Sequence, residues 1–312
     1  MRKALQILAG LTAALMVASC TGDDPVKGDG WGTNPSPEVP SGKPEGEYGS
    51  TQDWHKGSLK VMSFNVRYEN SGDGANIWPA RSKGVYAMLR SEMPIVMGTQ
   101  ECKWSQRADI LANCPRYDAI GVCRDDGKEE SSSETMTIFY LRDSVRLEKW
   151  GTFWLSDSPD IPSKGWDGAC FRCATWGVFS MKSSGKRFFY VNTHIDHKGA
   201  VAKQKGVELV VRKMNELNSE MLPAILTADF NMKYDDAGIL PARDNLRYAR
   251  TTSGVTDNTS TYQGFGTTTG SIIDHIFYRG FKSCIKYRCI NDSWDGVTYI
   301  SDHYPIYAIL EF

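Results

Sequence analysis

Asn65, Glu101 and Asp302 are hard oxygen donors, of the kind Mg²⁺ or Mn²⁺ takes in small number while keeping waters for a substrate phosphate. Zinc is a less natural occupant for such a set. Asp229 and Asn231 frame Phe230; a spacing of two along a strand places both on one face, where one takes a proton from water and the other holds that water or a phosphate oxygen. His303 can face developing negative charge, provided a carboxylate such as Asp274 orients its ring and favours its charged form. Four histidines cluster with aspartates along the part of the chain that carries these residues: His194 and His197 around Asp196, His275 after Asp274, His303 after Asp302. Together these residues describe metal-assisted attack of water on a phosphate ester.

Side chains so far apart in sequence converge only if rigid elements end at one place. Apolar runs and breakers predict strands at Leu59–Val66, Ile95–Thr99, Thr135–Leu141, Thr175–Met181, Arg187–His194, Ala224–Asp229, Ile272–Tyr278 and Tyr304–Leu310. Helices are predicted over Trp78–Glu92, with Val85 and Ala87 to Leu89 on its buried side, and over Lys103–Asn113 and Val201–Leu217. Strands outnumber helices and the two are interspersed, which favours an α/β layered sandwich over a bundle or an all-β barrel. The candidate residues stand at strand ends. His275 should point to the face opposite Asp274 and, with Asp196 and His197, reads as a support; Tyr140 reads as core. The aromatic stretch from Phe153 to Trp166 is expected to line the mouth of the site.

The 312 residues, 41% hydrophobic and 23% charged, can bury a sizeable core, which excludes a disordered or collagen-like chain. Lys plus Arg number 36 against 37 Asp plus Glu; so balanced a charge argues against holding polyanions by bulk electrostatics, and so against a histone-like or repressor-like role. The run Ala4 to Ala18 is shorter than the roughly 20 residues that span a bilayer and follows Arg2 and Lys3, so residues 1–19 read as an export signal. It closes on Val17-Ala18-Ser19-Cys20, which resembles the cleavage box of bacterial lipoproteins, with Cys20 as the lipidated residue; Asp23 and Asp24 resemble a surface-export signal. Residues 20–57, with Pro25, Pro35, Pro37, Pro40 and Pro44 among Gly, Ser and acidic residues, read as a tether, leaving residues 58–312 as one domain. The expected location is the outer membrane, on its periplasmic or cell-surface face. Lipidation of one of 8 cysteines leaves an odd number, so at least one thiol stays free. An exported chain allows disulfides, Cys170-x-x-Cys173 and Cys284-x4-Cys289 being the nearest-spaced pairs; Cys170-x-x-Cys173 lacks the second pair that a zinc site needs, and a structural role or packing is expected of it.

The ordered motifs FNVR (Phe64 to Arg67), GTQE (Gly98 to Glu101), NTHIDH (Asn192 to His197), ADFN (Ala228 to Asn231), IDHIF (Ile273 to Phe277) and SDH (Ser301 to His303) resemble the endonuclease/exonuclease/phosphatase superfamily. That superfamily includes pancreatic deoxyribonuclease, abasic-site endonucleases, neutral sphingomyelinases and inositol-polyphosphate 5-phosphatases. The resemblance implies a four-layer α/β/β/α sandwich, two packed mixed sheets flanked by helices, with the site at one end of the sheets. It implies Glu101 as the main Mg²⁺ ligand, Mn²⁺ being a substitute, with Asn65 and Asp302 close to the metal. It implies that Asp229 aligns or deprotonates the attacking water with Asn231 as helper, and that Asp274 and His303 stabilise the scissile phosphate. His194 matches a second phosphate-facing histidine, and Glu134 resembles its partner carboxylate. Arg124 and Arg172 lie in segments similar to those of bacterial members, and guanidinium groups suit phosphate oxygens. Ala228 departs from the usual glycine before Asp-Phe-Asn. The implied activity is that of a tethered, monomeric, Mg²⁺-dependent phosphohydrolase acting on a small phosphate ester, a phospholipid head group or nucleic acid, as phosphodiesterase or phosphatase. A binuclear metallohydrolase built on His194-x-Asp196-His197 would need a histidine where Asn192 stands. A non-enzymatic glycan-binding lipoprotein would have no use for the full set of acids and histidines.

Overall fold

Central strands that are apolar on both faces require a cover on each side, and four layers supply it. The computed structural model describes residues 57–312; the expected signal, Cys20 and the tether up to residue 56 lie outside the described residues. In chain order the first strands are β1 Ser58–Asn65, β2 Val96–Gln100, β3 Cys102–Lys103, β4 Tyr117–Ile120, β5 Glu134–Thr135, β6 Ile138–Leu141 and β7 Val145–Trp154. They are followed by β8 Cys173–Met181, β9 Arg187–His194, β10 Ala224–Asp229, β11 Arg247–Tyr248, β12 Ser253–Val255, β13 Asp274–Arg279, β14 Ser283–Cys289 and β15 Ile306–Glu311. The helices are α1 Trp78–Glu92, α2 Trp104–Asn113, α3 Ala200–Leu217, α4 Leu240–Asn245 and α5 Ala249–Thr252.

One mixed sheet has the order β12-β14-β15-β1-β2-β6-β4 and the other β11-β13-β10-β9-β8-β7, while β3 and β5 form a small ladder of their own. Alternation along each strand divides the core. Leu59 and Val61 of β1 meet Phe188, Tyr190 and Ile225 between the sheets. Met62 and Phe64 face outward to Met88 and Leu89 of α1 and Ile110 of α2. On the far side Phe189, Val191 and Leu226 pack against Val207, Val210 and Met214 of α3. The expected four-layer sandwich is the fold observed.

The structure differs from the sequence reading in places with a physical reason. Thr135–Leu141 is divided between β5 and β6, which join different ladders. β7 and β14 carry exposed or half-exposed Arg146, Glu148, Lys149, Lys286 and Arg288, charges that disguise strands near sheet edges. In α1 Ala87 is half-buried, and Arg81 is buried in its stead, in line with Val85 and Leu89. All the cysteines among the described residues are unpaired, and among the same residues no helix is long and apolar enough to cross a membrane.

Directly beneath the strand ends the two sheets are joined by a buried polar network. Asn192 donates to Thr99 O at 2.8 Å and Thr137 O at 3.2 Å, and its Oδ1 accepts from Gln100 Nε2 at 2.8 Å and Thr227 Oγ1 at 3.0 Å. This close approach needs the absent side chain of Gly98: a Cβ there would lie 2.3 Å from Asn192 Oδ1 and 2.5 Å from Thr227 Oγ1.

Candidate active site

Strand register assembles the site. Asp229, the last residue of β10, is paired with His194 at the end of β9 on one side and with Asp274 at the start of β13 on the other. From the other sheet, Asn65 at the end of β1 lies opposite Gln100, so Glu101 emerges just beyond it. Glu101 has φ 58°, and Arg67 and Asn231 are also left-handed, at 54° and 50°. Non-glycine residues held there carry strain that is common around functional sites.

The Asn65 amide nitrogen joins the two sheets' contributions: it donates to Glu101 Oε1 at 3.1 Å and Asp229 Oδ2 at 3.0 Å and lies 3.5 Å from His303 Nε2. Its oxygen accepts from Arg67 N at 2.9 Å. Asn65 therefore presents a donor to the site, not the oxygen ligand that the sequence suggested. His303 Nδ1 meets Asp274 Oδ2 at 2.8 Å, and Nε2 lies 3.8 Å from Asp229 Oδ2. Burial works against a charged ring, but Asp274, Asp229 and Asp302 together raise the His303 pKa to about 10. Burial and the neighbouring Asp274 carboxylate push Asp229 up to about 7, with His303 opposing. Burial also raises Asp302, and Glu101 adds to the rise.

Asn231 reaches the site by a different route from the one its spacing implied. β10 ends at Asp229, and the chain turns: Asn231 N donates to Asp229 Oδ1 at 2.8 Å, while its side-chain nitrogen donates to Ile195 O at 3.1 Å and His194 Nε2 at 3.0 Å. The His194 ring, accepting at Nε2, then carries its proton on Nδ1. Burial, with Arg172 and Arg124 nearby, holds its pKa far below the ordinary value, so the ring is neutral.

Glu134 does not partner His194. The β3–β5 ladder sets it opposite Lys103, and its carboxylate is ion-paired with Arg124 Nη1. Arg172 Nη2 lies 3.2 Å from His197 Nδ1, and Arg172 Nε lies 3.9 Å from Asp196 Oδ2. Asp196 accepts from the backbone N–H groups of Ala169, Cys170, Lys198 and Gly199, which makes it a loop-holding support. His275 donates from Nε2 to Met232 O at 2.9 Å and meets Tyr248 OH at 2.9 Å through Nδ1, buried away from the site. Phe153, Trp154 and Leu155 are buried, so that part of the aromatic stretch is core; Trp154 Nε1 donates to Arg124 O and so backs the arginine.

Three participants escaped the sequence reading. Arg67 forms a bidentate pair with Asp73 at 2.8 and 3.0 Å and stands 3.9 Å from Glu101 Oε2 and 4.0 Å from Asp302 Oδ2; its place two residues after Asn65 was the available signal. Buried Arg81 donates to Val66 O, Arg67 O and Ile300 O, tying the two loops that carry Arg67 and Asp302. A charged residue on the apolar face of α1 was its signal. The Tyr262 ring packs 4.9 Å from the His303 ring, and nothing in its local sequence marked it.

Two donor sets fit a divalent cation. Glu101 stands close enough to Asp302 to raise the cost of the Asp302 charge, a repulsion that an oxygen-seeking cation relieves. Asp229, Asp274 and His303 also bring ligand atoms within 4.8 Å of one another; Asp274 Oδ2 and His303 Nδ1 already bind each other there. A buried imidazolium, a carboxylate poised near neutrality and adjoining oxygen donors define a phosphoester hydrolase.

The sequence model of the Endonuclease/Exonuclease/phosphatase family matches residues 62–303, and the chain belongs to that family. It is similar to the endonuclease/exonuclease/phosphatase from Bacteroides vulgatus, with 33% identity, 82% of this chain and 100% of that one covered, and a TM-score of 0.77. It is similar to the mannosyl-6-phosphatase of Bacteroides thetaiotaomicron VPI-5482, with 35% identity, 81% and 100% covered, and a TM-score of 0.77. An uncharacterised protein of Acanthamoeba polyphaga mimivirus is 26% identical over 279 residues, 81% of this chain and 100% of the viral one.

Proposed function

We propose that this chain is an Mg²⁺-dependent phosphohydrolase held at the outer membrane by a lipid on Cys20. The observation that carries the hydrolytic reading is the His303 ring: Asp274 holds one nitrogen at 2.8 Å while the other faces Asp229 and Asn65, next to Glu101. In this reading Glu101 and Asp302 hold the cation, with Mn²⁺ as a substitute, and the bound cation supplies charge to the phosphoryl oxygens. Asp229 takes the proton from the attacking water, and the backbone N–H of Asn231 keeps that carboxylate aimed. The His303 imidazolium faces the charge that develops on phosphorus-bound oxygen. Neutral His194 is a hydrogen-bond donor toward the phosphate, not a second acid.

Among the candidate substrates, phospholipid head groups, sugar phosphates and nucleic acid, the sugar phosphates gain support because one similar structure is a mannosyl-6-phosphatase. The test is turnover of p-nitrophenyl phosphate, bis-p-nitrophenyl phosphate, mannose 6-phosphate, sphingomyelin and plasmid DNA, with Mg²⁺ or with EDTA, by the wild type and His303→Ala. Hydrolysis that requires both Mg²⁺ and His303 is expected. Hydrolysis undiminished by EDTA, or by loss of His303, would refute the assignment.

A further inference from the structure

The catalytic set leaves a second cluster of buried groups beside it. Arg172 is 5% exposed, and a guanidinium offers five N–H donors. Only its Nη2 meets a partner, His197 Nδ1; Nε and Nη1 have no hydrogen-bond partner. The carboxylate beside it, Asp196, lies 3.9 Å from Nε and is already taken by backbone N–H groups. Arg124 Nε likewise has no hydrogen-bond partner, although Asp125 Oδ1 stands 3.6 Å from it and its Nη1 engages Glu134. His194, 3% exposed, completes the group, because its protonated Nδ1 has no partner either.

These atoms belong to one neighbourhood. Arg172 immediately precedes β8, whose Ala174 pairs with Thr193, so it stands beside the His194 end of β9. Arg124 is fixed near Glu134 by the backbone bond from Arg124 N to Glu134 O and by Trp154 beneath it. The charges of both arginines are felt at His194, whose other nitrogen lies 3.4 Å from Asp229 Oδ2. Buried donors without acceptors destabilise a fold, cationic ones most. Their concentration here, with acceptor atoms missing and donor atoms in excess, calls for an anion with several free oxygens.

A phosphate monoester has three unesterified oxygens and up to two charges; a diester has two such oxygens and one charge. Building on the hydrolase reading above, we propose that Arg124, Arg172 and His194 Nδ1 form a pocket for the unesterified oxygens of a phosphate monoester and make the enzyme selective for monoesters over diesters. Arg172 is the centre of that pocket, and Glu134 holds Arg124 in place.

The test pairs kinetics with a binding measurement that needs no turnover. The full chain, with Arg172→Gln and the charge-retaining Arg172→Lys, is assayed on p-nitrophenyl phosphate and bis-p-nitrophenyl phosphate, and binding of inorganic phosphate is measured by calorimetry in EDTA. Arg172→Gln is expected to lower kcat/KM for the monoester at least about tenfold more than for the diester, mainly through KM, and to weaken phosphate binding by a similar factor, the size of one charged hydrogen bond. Arg172→Lys, which keeps a charge in the same fold, should fall between. Equal losses on both esters, or undiminished phosphate binding in Arg172→Gln, would overturn the pocket while leaving the hydrolase reading intact. Arg172-dependent phosphate binding in a wild type that hydrolyses neither ester would overturn the hydrolase reading and leave the anion site standing.

Discussion

Asp274→Asn removes one charge and almost no volume, and the asparagine oxygen still accepts from His303 Nδ1, so ring orientation is preserved while its electrostatic support is lost. In the wild type His303 titrates at about 10, because Asp274, Asp229 and Asp302 outweigh burial. With Asp274 neutral, burial is opposed only by Asp229 and Asp302, and the ring should titrate well below 10; a return to the ordinary value of about 6.5 would be a fall of ~3.5 units, or about 5 kcal/mol. The signs then fix the profile. A raised histidine pKa keeps the imidazolium below about 10 and loses it above, so wild-type kcat/KM should decline only as pH climbs through 10. A raised Asp229 pKa means that the base form is lost as pH falls through about 7, which gives a plateau between the two. At about pH 8 a return to about 6.5 would drop the charged fraction of His303 from ~99% to ~3%, predicting roughly a 30-fold loss of kcat/KM in Asp274→Asn. The acid limb should also move down, because Asp274 contributes to the rise at Asp229. The assay is kcat/KM for p-nitrophenyl phosphate from pH 5 to 10.5 at saturating Mg²⁺. An alkaline limb that stays in place in Asp274→Asn would refute the electrostatic account of His303.

Glu101→Gln should reduce turnover by at least ~10²-fold with the thermal transition unchanged, and EDTA should abolish wild-type activity, with Mg²⁺ restoring it better than Zn²⁺; a variant that keeps wild-type turnover, or better restoration by Zn²⁺, would contradict the oxygen-ligand reading. Gly98→Ala places a Cβ 2.3 Å from Asn192 Oδ1, so calorimetry should show a loss of ~2 kcal/mol or more and a Tm lower by several degrees; an unchanged Tm would mean that the sheets separate there without cost. On the lipid-anchor proposal, Cys20→Ser should move the protein from the membrane to the soluble fraction on cell fractionation, and equal distribution of variant and wild type would remove Cys20 as the anchor.

The layered fold was legible because its central strands are long apolar runs: Arg187–His194 and Ala224–Asp229 were predicted with the bounds observed, as was α1 at Trp78–Glu92. β7 was not, because Arg146, Glu148 and Lys149 reach water from a strand at the sheet's edge. Convergence of Asn65, Glu101, Asp229, Asp274, Asp302 and His303 could be foreseen from their common place at strand ends. Partner assignments could not. Whether Glu134 meets His194 or Arg124 is settled by the β3–β5 ladder, and two strands of two residues leave no periodic trace in a sequence.

The sequence rules fail where the strands stop, and that is where the site lies. Alternation placed Asn231 on the face of Asp229 by counting along a strand, yet Asp229 is the strand's last residue and Asn231 gets there through a left-handed turn at φ 50°. Glu101 and Arg67 stand in the same strained region, each just past the end of a strand. Strand ends free the backbone from the ladder, so short turns can aim a carboxylate, an amide and a guanidinium at one point while the sheets below stay rigid. The Asn192 network clamps those sheets one layer down. The Asn192 amide at its centre is fully hydrogen-bonded, whereas donor atoms of Arg172, Arg124 and His194 in the layer above have no hydrogen-bond partner. A buried cluster whose unpartnered atoms are all donors is complete when an anion is bound, so Arg172, Arg124 and His194 are the part of this end of the sheets that waits for substrate, above the amide clamp that holds the scaffold.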